Sequence, residues 1–287
     1  MDFGKVLTAM ITPFDQDGNI DLNKTSELVE YLIENGTDGL VVAGTTGESP
    51  TLTTEEKIQL FEHVVKVVNK RVPVIAGTGS NNTANSISLT KKAEQCGVDG
   101  VMLVAPYYNK PNQRGLFEHF RSIAKETTLP VMLYNIPGRS VVKMTPETII
   151  NLSKIDNIVS VKEATGDLDQ ASEIIENTSD DFSVYGGDDG LTLPMLSIGG
   201  NGIVSVASHI IGNDMQTMVK HYLSGNVKEA ASLHRKLLPI MNGLFSAPSP
   251  TPVKTALKVK GFHVGGVRLP LVPLTEEEED QLRQLLT

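Results

Sequence analysis

The chain has 287 residues, of which 40% are hydrophobic and 21% charged, and a formal net charge of −9. This length provides for a sizeable core, in one large domain or two unequal ones. The acidic balance disfavours nucleic acid and an anionic membrane surface as partners. A single cysteine, Cys96, excludes an internal disulfide, and no signal peptide or transmembrane segment is readable, so we expect a cytoplasmic protein.

Short apolar segments rich in β-branched residues recur through the first two thirds of the chain. Most are continuously apolar, which is typical of strands buried on both faces of a parallel sheet. Predicted strands lie at 6–10, 39–43, 73–77, 100–105, 130–135, 158–161, 182–185 and 202–206. Helical patterns lie between them, at 22–35, 54–69, 83–96, 116–127, 145–155 and 169–178. This alternation predicts an α/β fold, a (β/α)8 or TIM barrel.

The chain continues beyond the eighth predicted strand for more residues than one closing helix needs. Further helical patterns lie at 213–223, 227–245, 252–260 and 276–286. We therefore predict a barrel domain at 1–224 and a small helical C-terminal domain at 225–287.

Polar residues at the carboxyl ends of barrel strands are the candidates for chemistry, because that face of the barrel carries the site. GTTGES (44–49) follows the second strand, and its hydroxyls, Thr45 and Thr46, with free backbone amides, suit a carboxylate. A purely structural polar turn would look the same. GTGSNN (77–82) lacks the third glycine of a dinucleotide fingerprint, so no nucleotide site is predicted.

Tyrosines follow the next two strands. Tyr107 and Tyr108 end the fourth, and Tyr134 ends the fifth, with Arg139 close behind it. Such tyrosines can be packing residues. Two clusters on one barrel face, together with an arginine, favour proton transfer and carboxylate capture.

Lys162 directly follows the apolar segment of the sixth strand. A buried ammonium is costly, and desolvation favours the neutral amine, which can attack a ketone. The alternatives are a lysine that reaches the rim or one that pairs with Glu163. Beside the tyrosines and hydroxyls, the nucleophile is the favoured interpretation.

No metal site is predicted. Asp188 and Asp189 lie in GGDDG (186–190), which is more typical of a glycine turn that caps the next helix than of a metal site. The histidines are scattered mostly over helical segments, and none is assigned to catalysis; they are residues 63, 119, 209, 221, 234 and 263.

Taken together, several motifs resemble the dihydrodipicolinate synthase family, within the class I pyruvate aldolase and N-acetylneuraminate lyase superfamily. The resemblance extends over essentially the whole chain. The motifs are GLVVAGTTGESPTLTTEE (39–56), LVAPYYNKP (103–111), YNIPGRS (134–140), VSVKEATG (159–166), GIVSVAS (202–208) and FSAPSPTPVKTAL (245–257).

The resemblance implies condensation of pyruvate with L-aspartate 4-semialdehyde through a lysine Schiff base. Lys162 would form the imine, and Tyr134 would transfer protons with Thr45 and Tyr108 as relay partners. Thr46 would hold the pyruvate carboxylate. Because the lysine itself supplies covalent catalysis, no cofactor and no metal are expected.

Further roles also come from the resemblance. Arg139 would hold the semialdehyde carboxylate, a position at which sugar-acid aldolases differ. Gly187 and Val204 match backbone positions that line the pyruvate pocket. Tyr107 would reach into the neighbouring subunit of a tight dimer, near the relay, and two such dimers commonly form a homotetramer.

One departure concerns feedback inhibition by lysine. Lysine-inhibited relatives place histidines and a glutamate in a lysine pocket, whereas the matching positions here are Pro50, Thr54, Lys57 and Asn85. Ser49, Asn81 and Tyr107 persist. Loss of an acidic partner and gain of a cation should repel the lysine ammonium, so we predict weak or absent inhibition.

Two other functions stay open at this point. A pyruvate-dependent sugar-acid aldolase would share the lysine and the GTTGE-like turn. A non-catalytic barrel that binds keto acids is disfavoured, because a binding module needs no buried nucleophile.

Overall fold

The computed structural model describes residues 2–286, and within them eight parallel strands close into a barrel in sequence order. The eighth strand pairs with the first and completes the closure. The strands are β1 (Val6–Ala9), β2 (Gly39–Val42), β3 (Val74–Gly77), β4 (Gly100–Val104), β5 (Val131–Asn135), β6 (Ile158–Glu163), β7 (Ser183–Gly186) and β8 (Gly202–Ser205). The predicted (β/α)8 barrel and its strand positions are confirmed.

Helices surround the barrel, and polar side chains cap most of them. They are α1 (Leu22–Glu34), α2 (Thr54–Val68), α3 (Thr83–Gln95), α4 (Gln113–Ala124), α5 (Pro137–Ser140), α6 (Pro146–Leu152), α7 (Leu168–Glu176), α8 (Thr192–Ser197) and α9 (Ser208–Leu223). Thr53 and Glu56 form a capping box at the start of α2. None of the described helices is both long and apolar enough to cross a membrane.

Two helices, α4 and α9, begin earlier in the chain than the sequence pattern predicts. The helix predicted at 116–127 begins at Gln113, because the side chain of Asn112 accepts a hydrogen bond from the Gly115 amide. Helix α9 begins at Ser208 instead of 213, with a kink at Ile211, whose φ is −129°. The short helices α5 and α8 are not among the predicted helices, because neither has the two turns over which an apolar period becomes visible in the sequence.

The helical C-terminal segment packs back onto the barrel. Its helices are α10 (Val227–Gly243), α11 (Thr251–Val259) and α12 (Glu276–Leu286). Helix α10 packs against α9, and α11 packs against both α12 and α9. A domain boundary between residues 224 and 225 stays a prediction.

Candidate active site

Lys162 and Tyr134 lie side by side across β5 and β6, at paired positions of the sheet. The Lys162 ammonium lies 4.3 Å from the centroid of the Tyr134 ring, and the two residues are only 5% and 3% exposed. No carboxylate of residues 2–286 forms an ion pair with Lys162. Lys162 is the fifth residue of β6, one position inside the strand rather than beyond it.

Glu163 is not the partner of Lys162. Successive strand residues point to opposite faces, and the Glu163 carboxylate accepts hydrogen bonds from Asn135 (3.0 Å), Gln170 (3.1 Å) and the Thr165 amide (2.9 Å). Burial raises the pKa of Glu163, while these donors oppose the shift. Glu163 therefore anchors the outer face of β6, and Lys162 is left without a counter-charge.

Gly187 lies directly against the Lys162 side chain. A Cβ atom at this position would lie 3.0 Å from Cε of Lys162 and 2.5 Å from Cβ of Ala164. The Gly187 amide donates to the Glu163 carbonyl at 2.8 Å, which fixes this close approach. Val204 is buried within β8, where it pairs with Leu7 of β1.

The turn at residues 44–49 presents the two threonines that the motif predicted. The Glu48 amide donates to the Thr45 carbonyl at 3.1 Å, and Thr12 donates to the Gly47 carbonyl at 2.7 Å. Thr46 is buried, and within residues 2–286 neither threonine hydroxyl has a hydrogen-bond partner. The turn is rigidly held while its hydroxyls stay available to a ligand.

Glu48 connects this turn to the C-terminal part of the chain through hydrogen bonds to Lys254 and Arg268. Its backbone is left-handed, with φ 58°, and its carboxylate accepts from the Lys254 ammonium at 2.6 Å and from the Arg268 amide at 2.9 Å. Burial lowers the pKa of Lys254 to about 8, although Glu48 opposes the shift. This pair is absent from the sequence-based predictions, although a lysine on the apolar face of α11, next to Val253, is a signal for it.

A cavity of about 400 Å³ opens at the carboxyl end of the barrel and collects several predicted residues. Among the described residues, its wall contains two cations and no carboxylate. The polar and aromatic residues that line it are Thr45, Ser49, Lys57, Ser80, Tyr107, Tyr134, Arg139 and Ser140. Lys162 does not line this cavity and lies behind the Tyr134 ring.

The two tyrosines after β4 face in different directions. The resemblance implied that Tyr108 would join the relay and that Tyr107 would reach the neighbouring subunit. Tyr107 lines the cavity of its own chain, whereas Tyr108 is 88% exposed and has a left-handed backbone, with φ 72°. This backbone turns Tyr108 outward, so the structure does not bring it to Thr45 and Tyr134 within one chain. Asn81 also lies outside the cavity wall; its carbonyl accepts from the Asn109 side chain at 2.9 Å.

The GGDDG segment has the structural role that was favoured for it. The Asp188 side chain accepts from the Gly190 amide at 2.9 Å and caps a short 3-10 turn. Buried Asp189 accepts from the Val206 and Ala207 amides, which ties this turn to the end of β8. Within residues 2–286, no group of three or more histidine, cysteine, aspartate or glutamate side chains is placed to hold a metal ion.

Comparison with known proteins agrees with this architecture over the full chain. The model of the "Dihydrodipicolinate synthetase family" matches residues 2–287. A 4-hydroxy-tetrahydrodipicolinate synthase of Bacillus velezensis is 64% identical over 287 residues, which cover 100% of this chain and 99% of that protein.

Solved structures agree as well. Dihydrodipicolinate synthase DapA-2 from Bacillus anthracis superposes with a TM-score of 0.99 at 62% identity and covers 100% of this chain and 98% of its own. A synthase from Cyanidioschyzon merolae with lysine bound gives 0.97 at 49% identity, with coverage of 99% and 97%. The chain belongs to the dihydrodipicolinate synthetase family.

Proposed function

We propose that this chain is a Schiff-base lyase that condenses pyruvate with L-aspartate 4-semialdehyde to give 4-hydroxy-tetrahydrodipicolinate. This reaction is the first committed step of lysine biosynthesis through diaminopimelate. The observation that carries the proposal is Lys162, a buried amine that lacks a carboxylate partner and lies 4.3 Å from the Tyr134 ring. The 64% identity to a synthase of this name supports the same assignment.

The chemistry follows from the amine. After the Lys162 nitrogen has given up a proton, it adds to the C2 carbonyl of pyruvate, and loss of water leaves an imine. The imine nitrogen accepts electrons when a methyl proton leaves, and the resulting enamine forms a carbon–carbon bond to the aldehyde, whose oxygen takes up a proton. The amino group of the semialdehyde then adds to the imine carbon, closes the ring and releases Lys162 as the free amine. Tyr134, beside the amine, and Thr45, in the same cavity, are the proton-transfer groups.

Two carboxylates need partners. We assign the pyruvate carboxylate to Thr46 and the backbone of the 44–49 turn, and Gly187 and Val204 to the lining of that pocket, where Gly187 leaves room for the imine. Arg139, on the cavity wall, takes the semialdehyde carboxylate, because its guanidinium can form two parallel hydrogen bonds.

The relay is completed by a second subunit. Tyr108 is 88% exposed and cannot serve the cavity of its own chain in this conformation, so we assign it, rather than Tyr107, to the neighbouring site. The proposed assembly is a homotetramer of two tight dimers that works in the cytoplasm.

A comparison of aldehyde partners tests the proposed reaction. With pyruvate present, the purified protein should have a much higher kcat/KM for L-aspartate 4-semialdehyde than for formation or cleavage of a six-carbon keto sugar acid. A preference for the sugar acid would instead identify a sugar-acid aldolase. Turnover of neither would favour a barrel that only binds keto acids.

A further inference from the structure

The carboxylate of Glu163 is buried next to the proposed reacting pair and has no cation to balance its charge. Glu163 is 3% exposed, and no lysine, arginine or histidine of residues 2–286 forms an ion pair with it. Apolar packing at a buried position is usually at least as stable as a charged group. A carboxylate retained at such a position therefore indicates a functional constraint.

Both oxygens of the Glu163 carboxylate accept hydrogen bonds from neutral donors. One oxygen accepts from the side chains of Asn135 at 3.0 Å and Gln170 at 3.1 Å, and the other accepts from the Thr165 amide at 2.9 Å. These donors oppose the rise in the pKa of Glu163 that burial causes. Because every partner is an N–H group, a proton on the carboxylate would have no acceptor among them, so the arrangement requires the ionised form.

The side chain of Asn135 connects Glu163 to the strand that carries Tyr134. Tyr134 lies opposite Lys162 where β5 pairs with β6, and the next pair of opposite residues is Asn135 and Glu163. The Asn135 side chain also donates to the Met144 carbonyl at 3.1 Å and accepts from the Met144 amide at 3.0 Å. The hydrogen bond from Asn135 to Glu163 therefore joins the two strands on their outer face, one residue beyond the reacting pair.

We propose that Glu163 is a positioning residue for the reaction, which holds the Tyr134 hydroxyl in place for proton transfer at the pyruvate imine on Lys162. The inference rests on the proposed Schiff-base chemistry and adds to it a residue that does not touch substrate. Glu163 acts through its hydrogen bond to Asn135, because a shift of β5 relative to β6 changes the distance between the phenol and the imine. A displacement of about 1 Å is enough to slow such a step strongly.

Exchange of the pyruvate methyl protons with deuterated water, followed by NMR without any aldehyde, tests this role. Exchange requires formation of the imine, loss of a methyl proton to give the enamine, and addition of a deuteron to the same carbon. Borohydride trapping, carried out in parallel, measures how much imine forms on Lys162. The exchange rate per trapped adduct therefore reports proton transfer separately from imine formation, and a purely structural role for Glu163 would leave this ratio unchanged.

Glu163→Gln removes the charge at nearly constant size. This variant should still give the reduced adduct, but it should exchange the methyl protons about tenfold or more slowly per adduct. Asn135→Ser removes the same hydrogen bond from the other strand and should slow exchange to a similar extent, so it decides the question if Glu163→Gln does not fold. Unfolding midpoints verify that each variant folds.

Thr8→Val is the matched control. Thr8 is also buried, on β1, and its hydroxyl forms a hydrogen bond of 2.9 Å with Ser208 of α9, but its strand carries neither residue of the reacting pair. This variant should exchange at the wild-type rate per adduct. The proposal is overturned if the folded Glu163 or Asn135 variant keeps the wild-type rate per adduct, or if Thr8→Val slows exchange as much. Failure of the proposed function would appear differently, as wild-type protein that forms no adduct on Lys162, and would overturn this inference with it.

Discussion

The ammonium of Lys254 lies 2.6 Å from the carboxylate of Glu48, and the two side chains are 3% and 1% exposed. Lys254 belongs to α11 and Glu48 to the turn that carries Thr45 and Thr46. Lys254 also donates to the Gly266 carbonyl at 2.6 Å. The pair therefore joins the C-terminal helices to the catalytic face of the barrel.

Removal of one partner of this buried pair should be costly. Lys254→Met leaves Glu48 buried without its counter-charge, which should lower the free energy of unfolding by about 3 kcal/mol. Lys258→Met is the matched control, because Lys258 is 55% exposed and its pair with the partly exposed Glu279 should contribute at most about 1 kcal/mol. Urea unfolding measures both, and equal losses would contradict a clamping role for Lys254.

Tyr134→Phe removes one hydroxyl and keeps the ring beside Lys162. If this hydroxyl transfers protons, kcat should fall by about 100-fold or more while the fold is unchanged. Tyr222→Phe, a substitution in α9 outside the cavity wall, should leave kcat as it is. Steady-state assays compare the two, and similar kcat values for wild type and Tyr134→Phe would exclude the assigned role.

Arg139→Gln should act mainly on the aldehyde substrate. Loss of a charge-assisted hydrogen bond to the semialdehyde carboxylate should lower kcat/KM for this substrate roughly 30-fold. This factor corresponds to a loss of about 2 kcal/mol of transition-state stabilisation. The KM for pyruvate should change little. If Arg139→Gln changed the kinetic constants for pyruvate more than those for the semialdehyde, Arg139 would hold the pyruvate carboxylate instead, and this assignment would be wrong.

Lysine inhibition should be weak because Lys57 adds a positive charge to the cavity that Ser49 and Tyr107 also line. The relative from Cyanidioschyzon merolae has a structure with lysine bound, which makes it a suitable comparison. Initial rates measured against L-lysine up to about 1 mM should stay close to the uninhibited rate. Strong inhibition within that range would refute this prediction.

Acid should destabilise the protein through His209. This imidazole donates from Nδ1 to the Val206 carbonyl and accepts at Nε2 from the Ile11 amide, so the fold requires its neutral form. Complete burial lowers its pKa from 6.5 to about 4. Between these values the unfolded chain binds a proton that the folded chain does not, so stability falls as the pH falls.

The expected loss from His209 is about 2 kcal/mol between pH 7 and pH 5. Urea unfolding at the two pH values measures it. His209→Gln should have a smaller difference between the two pH values, whereas His221→Gln should retain the wild-type difference. An unchanged pH dependence in His209→Gln would show that other groups cause the acid sensitivity.

The sequence predicts those features of the fold and the site that depend on neighbouring residues, and it predicts contacts between distant residues poorly. The strands are predictable because apolar segments such as 100–105 are typical of strands buried on both faces, and Lys162 is conspicuous because it directly follows such a segment. The Asn112 cap of α4 was also local but was missed. The Lys254–Glu48 pair joins distant parts of the chain, so a local pattern can mark Lys254 as buried in α11 but cannot identify Glu48 as its partner.

The tyrosine pair illustrates a different limit. Tyr107 and Tyr108 are the same residue type at adjacent positions, so the sequence does not distinguish them. The left-handed backbone of Tyr108 decides which ring faces the cavity and which faces away. Side-chain direction in an irregular turn depends on dihedral angles that residue type alone does not set.

In the proposed mechanism, the Lys162 amine forms the covalent bond to the keto acid. Treatment with pyruvate and borohydride, followed by peptide mass spectrometry, tests it most directly. We expect one reduced pyruvyl adduct per chain, on the peptide that contains Lys162, and none in Lys162→Ala. An adduct that persists in Lys162→Ala, or full turnover by that variant, would contradict the mechanism.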